Sequence, residues 1–359
     1  MEQEKILSII IPTYNMEKYL RKCLDSLIVS DENMQQLEVL VVNDGSKDSS
    51  SQIAHEYEVK YPQTFRVIDK ENGNYGSCVN RGLKEATGKY VKVLDADDYF
   101  VNEAFDQFID FLQKNDVDLV INDFCTVDSE DKIIDEYTFN LPINKSFSLA
   151  DIPLRMTEWL WHHGITYKTN ILRSIDYHQT EGISYTDDEW VFMPMIAVQS
   201  VSYFPHFLYS YLMGREGQTF DPQIMLSSFD KRIIVGKSMI LYFSKVYNSC
   251  SSSSKVYMTE KIRRRLTAIY NFYLQMYPSK EGDELLINLD TYIKKTSDVL
   301  YYVLEQPKDR FGKNYISVWR TADYKTTFYL RLKQWKFRLQ MMFGGKLRNL
   351  HMPNDLCRK

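Results

Sequence analysis

Cysteine and long apolar runs are scarce in this chain of 359 residues. Its five cysteines are scattered, form no CxxC pair and are odd in number. That pattern excludes a disulfide framework, argues against a structural zinc site and favours a reducing compartment. No run approaches the roughly 18 apolar residues that span a bilayer, and the segment before Pro12 lacks the basic and long apolar regions of a signal peptide. A cytoplasmic location is therefore expected.

The composition is otherwise that of a globular protein, with 44% apolar and 14% aromatic residues. It excludes a disordered or collagenous chain, and the length favours two domains. The net charge of −4 is unevenly distributed: residues 308–359 carry a balance of +10, which leaves −14 for residues 1–307. An acidic body with a basic tail predicts a negatively charged partner at one end.

Strand and helix patterns alternate over residues 1–125. Short apolar runs bounded by turn residues predict strands at 6–11, 37–42, 65–68, 90–94 and 117–121. Repeated β-α units of this kind indicate an α/β fold, with a mostly parallel sheet and flanking helices. Ligands bind at the carboxyl ends of the strands in such sheets, so the polar residues there are the candidates for chemistry.

Three strand-end or loop segments carry such residues. Asp95 and Asp97 directly follow the fourth predicted strand, and two carboxylates so placed can share Mg²⁺ or Mn²⁺ with diphosphate oxygens; the alternative is a solvated acidic turn. Asp44 lies in a similar turn, where it either shapes an Asx turn or accepts a hydrogen bond from a nucleobase or ribose. The glycine-bearing loop 72–77 would let the backbone approach a nucleotide closely.

Taken together, these segments resemble the family-2 inverting glycosyltransferases with the GT-A fold. The matching stretches are SIIIPTYNMEKYLRKCLDSL, EVLVVNDGSKDSS and ENGNYGSCVNRGLKEATGKYVKVLDADD. The resemblance is strong over residues 6–125 and looser over 126–220. It implies a nucleotide-diphosphate sugar donor, Mn²⁺ or Mg²⁺ as cofactor, and direct displacement at the anomeric carbon.

The resemblance also implies roles for individual residues. Those expected to bind the nucleotide-sugar are Pro12, Thr13, Tyr14, Asp44, Asn74, Gly76, Asn80, Arg81, Asp95 and Arg215. Among them Asp44 would contact the base, typically uracil, and Arg215 the diphosphate, while Asp97 would bind the metal. The chain departs from the family where Asn74 replaces a frequent glycine and Cys78-Val79 replaces Ala-Arg, which leaves the donor sugar open.

An inverting transfer needs a base that deprotonates the acceptor hydroxyl. The resemblance places it in Thr186–Trp190: matching the downstream aromatic to Trp190 selects Asp187, matching it to Phe192 selects Asp188, and we favour Asp187. The alternative is an exposed acidic helix start.

The aromatic stretch 159–167 corresponds to the acceptor region of the family, with Trp161, His163 and Tyr167 as candidate contacts. Its alternative is core packing. His162 and His163 are disfavoured as metal ligands, because no third histidine or cysteine stands at suitable spacing.

The predicted organisation follows from these assignments. Residues 1–220 would form a GT-A catalytic domain with a nucleotide-sugar half (1–125) and an acceptor half (126–220). A helical region (221–307) and a basic amphipathic tail (308–359) would follow. Within the tail, Phe328, Leu332, Trp335, Leu339 and Met342 fall mainly on one helical face. Such a helix either lies on an anionic membrane or packs on the catalytic domain.

We therefore expect a metal-dependent inverting transfer of sugar from a UDP-sugar to a saccharide hydroxyl, on a lipid-linked acceptor. The setting would be bacterial capsule, exopolysaccharide, lipopolysaccharide or teichoic acid synthesis, with the enzyme peripheral at the inner face of the plasma membrane. A sugar-1-phosphate nucleotidyltransferase and a non-catalytic binding scaffold are the alternatives. Nucleic acid does not fit an acidic body without a binding motif, and a homodimer is left open.

Overall fold

The computed structural model describes residues 4–215, 228–276, 280–306 and 312–343, with side chains left undescribed at 275–276, 280–281 and 336–343. Contacts divide the chain into two compact units, Met1–Ile262 and Arg263–Lys359. This division falls inside the predicted helical region 221–307. The predicted boundary at 125/126 falls inside a strand, Leu119–Val127.

The first unit is built on a mixed sheet of nine strands among the described residues. They are β1 (Leu7–Thr13), β2 (Leu37–Asn43), β3 (Phe65–Asp69), β4 (Tyr90–Val93), β5 (Tyr99–Phe100), β6 (Leu119–Val127), β7 (Ile133–Tyr137), β8 (Ile165–Lys168) and β9 (Val201–Leu212). Their order is β3-β2-β1-β4-β8-β6-β9-β5, with β7 paired to β6 outside this path. The predicted α/β class with flanking helices is confirmed.

Strands β1 to β4 form the parallel half of the sheet. Every residue of β1 is buried, as expected for a continuous apolar run that is covered on both faces. The parallel register aligns Thr13 with Asn43 and Asn43 with Asp69. The last residues of three strands therefore lie in one row at the carboxyl edge, where the sequence predicted the chemistry.

The second half of the sheet differs from the predicted β-α alternation. β6 is not the neighbour of β4, because the short strand β8 lies between them and is antiparallel to both. A buried lysine joins the three strands: Lys92 Nζ donates to the carbonyl oxygens of His163 (2.8 Å) and Ile165 (3.1 Å) and to Asn122 Oδ1 (3.1 Å). All three ammonium donors are thus satisfied.

The described helices follow the same chain order. They are α1 (Leu20–Asp25), α2 (Asp31–Gln36), α3 (Ser50–Lys60), α4 (Asn74–Glu85), α5 (Asn102–Gln113), α6 (Thr169–Ser174), α7 (Asp187–Trp190), α8 (Phe229–Val246), α9 (Ser252–Asn271), α10 (Lys280–Thr296), α11 (Asp298–Val303), α12 (Tyr315–Thr321) and α13 (Phe328–Phe343). In the first unit α4 packs on β1 and β2, and α3 packs on β3. No helix among the described residues is long and apolar enough to cross a membrane.

The second unit contains a buried ion pair. Asp290 of α10 is fully buried and accepts two hydrogen bonds from Arg320 of α12, at 2.9 and 2.7 Å. The hydroxyls of Tyr270 and Tyr324 also donate to Asp290. The ring of Tyr301 lies 3.7 Å from the Arg320 guanidinium. Side chains from several segments of this unit therefore contact the buried pair of Asp290 and Arg320.

Candidate active site

Asp44 lies at the carboxyl end of β2 and is 2% exposed. One of its carboxylate oxygens accepts from Lys70 Nζ (2.5 Å) and from the backbone N–H of Gly73 (2.9 Å). The other oxygen accepts from the backbone N–H of Asn74 (2.9 Å). The backbone N–H of Asp44 donates to the Thr13 carbonyl oxygen (2.8 Å).

These contacts explain why α4 begins inside the predicted glycine loop. The first backbone amides of a helix have no partner within it, and the local sequence offers no capping side chain at Gly73. Asp44 supplies the cap from another strand. Asn74, with a φ of 65°, then turns the chain into the helix.

Gly76 is fixed by packing. A Cβ at this position would lie 2.1 Å from the carbonyl oxygen of Thr180, which presses the segment after α6 directly against α4. The structure thus gives a packing reason for the glycine in a loop that the sequence linked to the nucleotide. Its proposed contact with the donor stays a prediction.

We expect Gly76→Ala to destabilise the first unit by about 1–3 kcal/mol, because the added methyl overpacks a site with no room for it. Lys84→Ala, on the exposed face of the same helix, is the control and should change stability by less than about 0.5 kcal/mol. Urea unfolding followed by circular dichroism measures both. Equal effects of the two variants would contradict the packing reason.

Asn80 and Arg81 make contacts within the protein. The Asn80 side chain donates to Gln179 O and Glu181 Oε1, each at 2.8 Å, and accepts from Gln179 N. Arg81 pairs with Glu85 on the exposed side of α4, Nε to Oε1 3.1 Å. The structure therefore ties Asn80 to the segment after α6 and places Arg81 on a surface ion pair.

Asp95 is the centre of a polar cluster just beyond β4. One carboxylate oxygen accepts from the Tyr75 hydroxyl (2.8 Å), and the other lies 3.2 Å from His162 Nε2. Burial raises the pKa of Asp95, but His162 and Tyr75 outweigh burial and hold that pKa below its usual value. Burial likewise lowers the pKa of His162, and the Asp95 carboxylate more than reverses this, so the His162 pKa is raised.

The two acidic residues that follow have different partners. Asp97 contacts the Arg215 guanidinium, and burial raises the pKa of Asp97 despite that cation. Asp98 accepts from the Tyr209 hydroxyl (2.7 Å) and from Leu212 N (2.8 Å). Burial, together with the charges of Asp97 and Asp95, raises the pKa of Asp98 well above its usual range.

The residues present fit a divalent cation. The side chain of Asp95 is 23% exposed. One of its carboxylate oxygens, one ring nitrogen of His162 and one ring nitrogen of His163 all lie within 4.8 Å of one another. Asp97, the predicted ligand, is the neighbouring carboxylate, with Arg215 as its present partner.

Asp187 and Asp188 begin the short helix α7. The charge of Asp187 helps to raise the pKa of Tyr75 and of His162, the two partners of Asp95. The charge of Asp188 instead contributes to the raised pKa of Glu189, which is due first to burial. Asp187 is thus the member of the pair that acts electrostatically on the Asp95 cluster.

The three predicted acceptor contacts lie in different surroundings. Tyr167 on β8 is fully buried, and its hydroxyl donates to Trp190 O (3.0 Å), so the structure gives it a packing role and no ring face for a saccharide. His163 is 4% exposed and stacks on Tyr211, with ring centroids 4.4 Å apart. Trp161 is partly exposed and packs beside Tyr137, with ring centroids 5.1 Å apart.

The residues predicted to line the nucleoside pocket lie at and beyond the end of β1. Pro12 and Thr13 are buried at the end of β1, whereas Tyr14 is 45% exposed beyond it. Arg215 is the last described residue of its segment, so the rest of the predicted element, Glu216 to Thr219, lies outside the described residues.

Sequence reasoning missed Lys70, Tyr75 and Lys92. Lys70 directly follows β3 and also donates to Ser77 Oγ (2.9 Å), so the rule that polar residues at strand ends carry chemistry would have found it. Tyr75 was overlooked because the segment 72–77 was interpreted by its glycines alone. Lys92 has no local signal, because its partners come from distant parts of the chain.

Comparison with known proteins identifies the domain that carries this cluster. Residues 8–179 match the sequence model described as "Glycosyl transferase family 2", a span that includes Asp44, Asp95 and Asp97. Residues 8–179 therefore form a glycosyl transferase family 2 domain. The predicted resemblance is confirmed.

Curated relatives match part of the chain. Over 134 residues it is 37% identical to the uncharacterized glycosyltransferase MG025 of Mycoplasma genitalium, a match that covers 37% of this chain and 44% of the relative. Over 115 residues it is 37% identical to the minor teichoic acid biosynthesis protein GgaB of Bacillus subtilis, a match that covers 32% of this chain and 13% of that relative. The chain spans less than half the length of these relatives.

A solved structure matches over most of the chain. The S. aureus TarS 1–349 complex with UDP-GlcNAc superposes with a TM-score of 0.68 at 21% identity, covering 92% of this chain and 88% of that one. This likeness supports the fold.

Proposed function

We propose that the protein transfers a sugar, with inversion, from a UDP-sugar to a saccharide hydroxyl in the synthesis of a bacterial surface polysaccharide. The observation that carries the proposal is the Asp95 cluster of a family-2 domain. In this cluster Tyr75 and His162 contact Asp95, and the charge of Asp187 contributes to the raised pKa of both. The UDP-GlcNAc complex of TarS and the teichoic acid role in the name of GgaB support the donor and the setting.

The proposed mechanism is a single displacement. The acceptor oxygen forms a bond to the anomeric carbon as the bond from that carbon to the diphosphate oxygen breaks, and the electron pair leaves with UDP. The acceptor proton passes to the Asp187 carboxylate, which acts as general base. Asp44 contacts the base, and Asp95 and Asp97 act at the sugar-phosphate end of the donor. No phosphorylated or glycosylated protein intermediate is needed.

A divalent cation, when bound, would offset the charge that develops on the leaving diphosphate. Asp95 and Asp97 are the carboxylates that would hold it, as strand-end oxygen ligands suited to Mn²⁺ or Mg²⁺. Arg215 is the cation that the chain itself supplies at this point. A guanidinium can bind diphosphate through two hydrogen bonds, so we propose that Arg215 turns from Asp97 to the donor.

The experiment that tests this function is a panel of UDP-, GDP- and dTDP-sugars with Mn²⁺ or Mg²⁺, with release of the nucleoside diphosphate as the readout. We expect one or more UDP-sugars to be hydrolysed well above the others, and Asp44→Ala to remove that preference. Equal, background release from every donor would refute the proposal.

We also propose that α13 binds an anionic membrane that carries the acceptor. Phe328, Leu332 and Trp335 are 77%, 47% and 62% exposed, and Arg331 is exposed between them. Leu339 and Met342, the other members of the predicted apolar face, lie where side chains are not described. Apolar and basic side chains exposed on one helix are the combination that binds an anionic interface.

Trp335→Glu should lower binding to vesicles with anionic lipid by about tenfold, because it removes a large apolar contact and adds a repelled charge. Vesicle co-sedimentation of the full chain at low and high salt measures this. Val59→Glu, the same kind of change at an exposed apolar residue of α3, is the control and should bind as the unmodified protein does. Equal binding by all three proteins would exclude this role of α13.

A further inference from the structure

His163 is a buried imidazole without an evident purpose. It is 4% exposed, and neither ring nitrogen has a hydrogen-bond partner among the described residues. A buried polar group left unsatisfied is costly, so such a group needs a physical reason, and a bound ion is one of them. The carboxylate oxygen Oδ2 of Asp98 lies 4.0 Å from His163 Nε2.

The neighbours of His163 complete a ligand set. The rings of His162 and His163 have centroids 3.9 Å apart, and His162 Nε2 lies 3.2 Å from Asp95 Oδ2. One nitrogen of each histidine and one oxygen of Asp95 all lie within 4.8 Å of one another. Two atoms bound to one metal at about 2.0–2.2 Å are at most about 4.4 Å apart, so the three atoms lie near the spacing that one ion requires.

We propose that Asp95, His162 and His163 form a mixed nitrogen and oxygen site for a divalent transition metal. The inference rests on the proposed function and refines it: the ligands that join Asp95 are the two histidines, in place of Asp97, whose present partner is Arg215. Imidazole nitrogen is a ligand for transition metals, whereas Mg²⁺ prefers oxygen and keeps its waters. The site therefore selects Mn²⁺ or Co²⁺ over Mg²⁺, a choice that a pair of aspartates alone would make far less sharply.

The surroundings suit a fixed site with one open side. His162 and His163 have side chains only 7% and 5% exposed, whereas that of Asp95 is 23% exposed. The adjacent 3₁₀ turn, His162–Gly164, is anchored because Lys92 Nζ holds the His163 carbonyl oxygen at 2.8 Å. The backbone that carries both rings is therefore held by the sheet, and Asp95 is the most exposed of the three side chains.

The test is binding of Mn²⁺ to the full-length protein without donor, followed by electron paramagnetic resonance and its ¹⁴N modulation. We expect nitrogen coupling, little displacement of Mn²⁺ by a tenfold excess of Mg²⁺, and tighter binding of Co²⁺. His162→Gln should weaken Mn²⁺ binding at least tenfold and reduce the nitrogen coupling. His163→Gln should do the same, and its melting temperature shows whether it has folded.

A histidine outside the cluster provides the control. His206→Gln, at an exposed histidine of β9, should leave the nitrogen coupling unchanged. The inference is overturned if Mn²⁺ does not bind, if nitrogen coupling is absent, or if the coupling survives in both His162→Gln and His163→Gln. Because Mn²⁺ binding is read without donor, failure of the UDP-sugar panel would refute the proposed transfer while the metal experiment still gives its own answer.

Discussion

Asp187→Asn should lower kcat by about 10²–10⁴, the range that a positioned general base contributes. The amide keeps the size of the side chain but cannot take the acceptor proton. Binding of UDP should change little, because Asp187 is assigned to the acceptor hydroxyl and Asp44 to the nucleoside. Steady-state kinetics on the donor found in the panel, with UDP binding by calorimetry, measure both quantities.

Asp188→Asn is the matched control, since it makes the same change one residue away in α7. The charge of Asp187 acts on Tyr75 and His162, whereas that of Asp188 acts on Glu189. We therefore expect a far smaller loss of kcat in Asp188→Asn. The opposite pattern would transfer the base to Asp188, and full activity in both variants would remove the base from this helix.

Asp290→Ala should destabilise the second unit by about 3–5 kcal/mol. It removes one partner of a buried ion pair and leaves the Arg320 guanidinium, whose side chain is 6% exposed, without its main counter-charge. Arg320 would keep its contacts with Glu305 (3.2 Å) and the Tyr301 carbonyl (2.8 Å). Amide hydrogen exchange of residues 280–306 reports the loss in this unit by itself.

Asp323→Asn is the control in the same unit. Asp323 pairs with Lys325 at 3.5 Å, and the two side chains are 84% and 78% exposed. Exposed pairs contribute little, and Asn tolerates the positive φ of 55° at this position, so exchange should be nearly unchanged. If Asp290→Ala were as mild as Asp323→Asn, the buried pair would not be what stabilises this unit.

The parallel half of the sheet was predictable because its information is local. Each of β1 to β4 is an apolar run ended by turn residues, and the acidic residue that follows β4 lies in the polar cluster as expected. β8 was not predictable in this way, because a strand of four residues that follows a 3₁₀ turn is too short to show a hydrophobic period in the sequence. Its place between β4 and β6 depends on partners from distant parts of the chain, including Lys92.

The site shows the same limit. Its types of residue were visible in the sequence, but their partners were not. Nothing local indicates that Arg215 contacts Asp97, or that Asn80 holds the segment after α6. His162 and His163 were disfavoured as ligands because no third histidine or cysteine stands near them in sequence. The third ligand in the proposed site is Asp95, beside which the turn before β8 places both rings.

The insertion of β8 also limits how this protein can be recombined with its relatives. The boundary that the sequence predicts between the two halves of the catalytic domain, at 125/126, would be an attractive junction for hybrid proteins. A hybrid joined there would take β4 and Lys92 from one parent, and β8 with the His162–Gly164 turn from the other. The residues of the Asp95 cluster would thus come from two different parents. A junction after Leu212, at the end of β9, keeps Asp95 and its histidines in one parent.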